Sequence, residues 1–91
     1  MPKLVFRAHA VQRMFERRIT VNMVREALAD GDTLAEYPED SPYPSRLVLG
    51  WADERPLHIV VADNTSEKET IVITVYEPDP TRWSEGFRRR T

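Results

Sequence analysis

The 91-residue chain has no cysteine, only three glycines and no long apolar run. Without thiols there is no disulfide staple, no thiolate nucleophile and no thiolate metal site, so the fold must rest on its own core, as suits a reducing compartment. The longest apolar stretch, Ile59 to Ala62, is far shorter than the roughly 18 residues a membrane span needs, and Met1 to Phe6 lacks a signal-peptide pattern. The expectation is a cytoplasmic protein with no membrane partner. Charge of one sign is lacking too: 13 Lys and Arg stand against 15 Asp and Glu, a formal net charge of -2. A uniformly basic surface is excluded, so any nucleic-acid binding must be local.

What is present is ordinary globular composition, 41% hydrophobic and 31% charged, too apolar for a disordered chain. The length suits one small domain over residues 1–91 that buries about 60 to 65% of its unfolded surface, with a basic tail from about residue 86. The charges are segregated along the chain. Arg7, Arg13, Arg17 and Arg18 lie near the start and Arg82, Arg88, Arg89 and Arg90 near the end, while acids concentrate in Glu36 to Asp40, Asp53 to Glu54 and Glu67 to Glu69.

Helical periodicity over Arg7 to Arg17 gathers Ala10, Val11, Met14 and Phe15 on one arc, a core-facing stripe. The opposite side carries His9, Arg13 and Arg17 at successive four-residue steps. The helix is expected to end at Arg18. Thr20 can cap a second helix, with Ile19 packing on Val24 as a hydrophobic staple, although Met23 stands where a capping box has Glu or Gln. Val21, Met23, Val24, Ala27 and Leu28 share one face, and Gly31 supplies a left-handed stop. From Thr33 the period changes to two. Expected strands are Thr33 to Tyr37, Ser45 to Trp51 with Leu47, Leu49 and Trp51 alternating, Leu57 to Ala62, and Thr70 to Tyr76 with Ile71, Ile73 and Val75 facing the core. The Pro38 to Pro44 loop and short turns separate them, as in an antiparallel meander.

Phe6-Arg7-Ala8-His9-Ala10 with Arg13-Met14 and Glu16-Arg17 resembles the opening of an uncharacterised bacterial family catalogued as a domain of unknown function. Tyr37-Pro38, Pro42-Tyr43-Pro44-Ser45, Leu49-Gly50, Leu57-His58-Ile59-Val60, Thr74-Val75-Tyr76-Glu77-Pro78-Asp79 and Trp83 resemble its later blocks in the same order. That family is grouped with the RelE and ParE toxins, whose known enzymes are small ribonucleases neutralised by an antitoxin. Members are similar in setting to the MqsR class, whose partner resembles a zinc-finger antitoxin with paired Cys-x-x-Cys motifs. The resemblance implies an α+β, RelE-like fold: two N-terminal helices on one face of a small, mostly antiparallel sheet of three to four strands. It transfers no catalytic residues.

Cleaving RNA without a metal or other cofactor needs a base for the 2′-hydroxyl, cations on the phosphate and an acid for the leaving oxygen. His9 beside Arg13 offers such a pair on one helical face, with Arg17 as a further phosphate contact; a solvated face with Glu16 paired to an arginine explains the same residues. His58, on a central strand, is a second catalytic candidate, against the commoner role of a packed core histidine. Tyr76 and Arg46 are expected on the same sheet face as RNA contacts, against plain roles as an edge aromatic and a solvated arginine. Trp51 and Trp83 read as hydrophobic anchors. No pair among His9, His58, Glu36 and Asp63 has metal-ligand spacing, so no metal is expected. The expectation is a toxin-like, metal-independent endoribonuclease whose partners are RNA and an antitoxin; the alternative is a noncatalytic protein-binding module.

Overall fold

A computed structural model describes residues 2–90. The elements follow the order β1 (Lys3–Phe6), α1 (Ala8–Arg17), α2 (Val21–Ala29), β2 (Asp32–Tyr37), β3 (Ser45–Ala52), β4 (Arg55–Asn64), β5 (Glu69–Tyr76), β6 (Trp83–Ser84) and β7 (Arg89–Arg90). The first five strands form one mixed sheet in the order β1-β5-β4-β3-β2, and β6 pairs with β7 in a separate ribbon. This corrects the expected three- to four-stranded antiparallel, RelE-like sheet. The missed element is β1, which runs parallel to β5 with Lys3 opposite Glu69 and Phe6 opposite Val72. Four residues carry too little pattern to announce a strand, and the partner lies at the far end of the domain, beyond any local periodicity. Met1 and Thr91, the ends of the segments read in sequence as lacking a signal peptide and as a basic tail, lie outside the described residues.

The helix ends are fixed by local chemistry. Arg18 takes the left-handed conformation at φ 57, and the Ile19 N–H then donates to the Met14 carbonyl at 2.8 Å, closing α1. The Thr20 hydroxyl accepts from the Met23 N–H at 3.1 Å, while the Thr20 N–H donates to the Met23 sulfur at 3.4 Å. A thioether thus completes the capping box that was expected to be incomplete with Met23 in place of Glu or Gln. Gly31 is not left-handed, because α2 closes at Asp30 with φ -118. Its need is space: a Cβ there would lie 2.5 Å from Val48 Cγ1 and 2.8 Å from the Ala27 carbonyl oxygen.

Both helices cover the same side of the sheet. Ala10 and Met14 of α1 and Val24 and Ala27 of α2 pack with Val48, Leu57, Ile59, Val61, Val72 and Val75. Two details differ from the alternation read in sequence. In β3 it is Val48 and Ala52 that meet the helices, while Leu49 is buried on the other side, because Gly50 lets the α2 backbone sit directly on the sheet. In β5 the register slips so that Val60 faces Thr74 but Val61 faces Val72. Ile73 is the unpaired bulge residue, and it moves Val72 onto the helix side and Ile71 off it. The stripe on α1 is also narrower than expected, with only Ala10 and Met14 buried and Phe15 87% exposed.

The second sheet face is covered by irregular chain. Trp83 and Phe87, from the C-terminal ribbon, pack edge-on against His58 and Trp51. Lower on the same face, Tyr43 of the proline-rich loop accepts a hydrogen bond from Asn64 at 3.0 Å.

Candidate functional site

At the upper end of the second face, a cleft of about 390 Å³ opens between the end of α1, the end of β5 and the C-terminal ribbon. Arg17, Arg82 and Arg90 ring it, and Tyr76 and Trp83 supply its aromatic walls. The two acids at its rim are already engaged. Glu77 pairs with Arg55, and Asp79 accepts from the Thr81 N–H and hydroxyl, both at 2.8 Å. Those bonds hold the Asp79 carboxyl below its ordinary value and fix the turn that delivers Arg82 and Trp83. The cleft is therefore cationic on a chain that is acidic overall.

Arg17 reaches this cleft because Arg55 ties down the end of α1. The Arg55 guanidinium donates to the carbonyls of Arg18 at 3.1 Å and Arg17 at 3.2 Å, and from Nε to Glu77 at 2.6 Å. A cation at a helix C-terminus satisfies carbonyls left without intrahelical partners.

His58 lies behind Tyr76 and Trp83, fully buried. Its ring centre is 5.3 Å from that of Tyr76 and 4.3 Å from that of Trp83. Nε2 lies 2.9 Å from the Phe87 carbonyl oxygen and Nδ1 lies 3.2 Å from the Tyr76 hydroxyl. A carbonyl only accepts, so Nε2 carries the proton and, in the neutral ring, Nδ1 accepts from Tyr76. Burial lowers the His58 pKa below 6.5, against an opposing pull from the Phe87 carbonyl. Burial likewise raises the Tyr76 pKa, with Tyr37 adding to the rise and Arg90 opposing it. The result is a neutral proton acceptor joined to a hydroxyl at the wall of a cationic cleft.

Of the residues proposed from sequence, the structure brings Arg17, His58 and Tyr76 together. His9 and Arg13 lie elsewhere on α1. His9 borders a separate open cleft with Arg7, Ser41, Pro42 and Ile73, and Arg13 is 3.9 Å from Glu16. Arg46 is not on the face of Tyr76. It belongs to the helix side of β3, where it pairs with Asp63 at 2.9 Å and donates to Thr33 at 3.3 Å. The sequence reading missed Arg82, Trp83 and Arg90 as site residues, although the clustering of arginines near the C-terminus was a visible signal. Among the described residues no group of three or more His, Asp or Glu side chains converges as metal ligands would, and no helix is long and apolar enough to cross a membrane.

The fold and cleft define a small mixed α/β domain with a positively charged, aromatic-walled depression over a buried histidine. The chain belongs to the family described as a domain of unknown function (DUF4258), which it matches over residues 6–77. No curated protein matches it. No solved structure does either.

Proposed function

We propose that the protein binds and cleaves RNA without a metal, as the toxin-like component of a bacterial toxin-antitoxin pair. The observation that carries this reading is the hydrogen bond from Tyr76 to the buried, neutral His58 beside three clustered arginines. In this mechanism the arginines hold the nonbridging oxygens of the scissile phosphate. The 2′-hydroxyl gives its proton to the Tyr76 oxygen as the Tyr76 proton passes to His58 Nδ1. The 2′-oxygen bonds to phosphorus, the bond to the 5′-oxygen breaks, and solvent protonates the leaving oxygen. The products are a 2′,3′-cyclic phosphate and a 5′-hydroxyl. Arg13 extends the positive track along α1, and neither Arg13 nor His9 touches the reacting phosphate. Membership of the RelE and ParE toxin superfamily, a cytoplasmic location and a zinc-finger antitoxin with paired Cys-x-x-Cys motifs belong to the same proposal.

The test is cleavage of mixed RNA by purified, partner-free protein in the presence of a chelator. Tyr76→Phe removes one oxygen from a partly buried ring, so the fold and RNA binding should persist while the rate falls by about a hundredfold to ten-thousandfold. His9→Ala should cleave within a few-fold of the unaltered protein. Undiminished cleavage by Tyr76→Phe would refute the mechanism. Failure of the unaltered protein to cleave any RNA would refute catalysis altogether and favour the noncatalytic binding module, which the exposed Phe15 of α1 independently supports.

A further inference from the structure

We infer that α1 is the docking site for an acidic amphipathic helix of a partner protein, anchored on Phe15 and Val11. The inference is independent of RNA chemistry, since these residues take no part in the Tyr76 cleft. Phe15 is 87% exposed and Val11 52% exposed, making Phe15 the most exposed of the large hydrophobic residues among those described. The two are one helical turn apart, so their Cβ atoms stand about 5 to 6 Å from each other on one strip. Nothing in the domain's own packing requires them, because α1 is already seated through Ala10 and Met14. Paired apolar side chains at this spacing are the anchors by which one helix grips another surface. Aromatic residues, phenylalanine among them, are also enriched at the centres of protein interfaces.

The charge around the strip selects the occupant. Arg7 stands one turn before Val11 at the start of α1, and Arg18 follows Phe15 at its end. Both are exposed, and no acidic side chain pairs with either among the described residues. The only acid within α1 is Glu16, which lies beside Arg13. Two copies of α1 laid face to face would set arginine against arginine, so self-association through this strip is disfavoured. A helix with two aliphatic residues one turn apart and carboxylates on either side fits both the strip and its ends. The opposite side of α1 carries Arg13 and Arg17, so a helix docked on Phe15 leaves Arg17 and its cleft open.

The experiment uses the full chain and two synthetic amphipathic helical peptides, one with leucines at one-turn spacing flanked by glutamates and one with lysines replacing the glutamates. Binding is read by calorimetry and mapped by amide chemical shifts. The glutamate peptide should bind at least tenfold more tightly than the lysine peptide, with shifts confined to α1. Phe15→Ser should weaken it at least tenfold, Val11→Ser less, and Arg7→Glu with Arg18→Glu should reverse the preference between peptides. Because Phe15 is exposed, its substitution should leave the fold and any RNA binding unchanged. Equal binding of the two peptides, no binding of either, or binding indifferent to Phe15→Ser would overturn the inference. Concentration-dependent dimerisation abolished by Phe15→Ser would also overturn it, by assigning the strip to a second copy of this chain.

Discussion

Gly50→Ala puts the packing of α2 on the sheet to a direct test. A Cβ on Gly50 would sit 2.0 Å from the Ala27 carbonyl oxygen, 2.5 Å from its carbon and 2.8 Å from Ala27 Cα. All three atoms are backbone, so no rotamer change relieves the clash and α2 must withdraw by more than an ångström. Withdrawal loosens Val24 and Ala27 from Val48 and Leu57, which together form the centre of the core. Overpacking of this kind costs about 1 to 3 kcal/mol, and a clash with rigid backbone belongs at the top of that range. Domains of this size hold about 5 to 14 kcal/mol in total. A loss of about 3 kcal/mol should therefore lower the melting temperature by roughly 12 to 24 °C. Urea titration followed by circular dichroism measures it, with Gly31→Ala as the comparator. A Cβ on Gly31 meets backbone less closely, with the Ala27 carbonyl oxygen at 2.8 Å beside Val48 Cγ1 at 2.5 Å, so its loss should be smaller. A Gly50→Ala penalty below about 0.5 kcal/mol, the range of surface sites, would refute the close approach of α2.

Two further perturbations read the site. His58 has a folded pKa below its ordinary 6.5, so the unfolded chain binds more protons between those two values. Its contribution to stability should be complete above about pH 6.5 and decline as pH falls toward the folded pKa, by at most about 1.4 kcal/mol per pH unit; unfolding curves from pH 8 to 5 check this, and no difference between the unaltered protein and His58→Gln in that slope would contradict it. Arg55→Lys keeps the charge but loses the fork that spans Glu77 and the carbonyls at the end of α1. It should cost about 0.5 to 1.5 kcal/mol and weaken the proposed RNA binding only where Arg17 is present, which a double-mutant cycle with Arg17→Ala measures; additive effects on RNA affinity would remove Arg55 as the residue that positions Arg17.

The parts of the fold legible in sequence are those encoded within one element. The α2 pattern from Val21, the Thr20 cap and the three antiparallel pairings of β2 to β5 each follow from neighbours in the chain. What local pattern hid came from contacts between distant segments. β1 is a strand because β5 offers it an edge. Gly50 points into the core because α2 lies there, and the side chains of β5 change face because Ile73 bulges out of register. Phe15 looked like a core residue because it lies within an apolar arc. The short α1 contacts β5 along a narrow line, however, and leaves that arc half uncovered.

Of the residues around this cleft, the sequence singled out Arg17, His58 and Tyr76 but neither Arg82, Trp83 and Arg90 nor the assembly they form. His58 and Tyr76 stood out for their chemistry, yet their contact joins positions 18 apart through the β4–β5 register, where His58 lies opposite Tyr76. The other half of the arrangement comes from 29 positions away, in the carbonyl of Phe87. That carbonyl does more than fill a hydrogen bond. By accepting from Nε2 it assigns the ring proton to that nitrogen and leaves Nδ1 free to accept from Tyr76. The direction of the Tyr76 hydrogen bond therefore depends on a residue outside the 6–77 stretch that matches the family, and Arg82 and Arg90 of the cleft lie outside it too. The buried histidine and its tyrosine lie within that stretch, while the ring's tautomer and two of the three arginines around the cleft are supplied by the C-terminal segment that follows it.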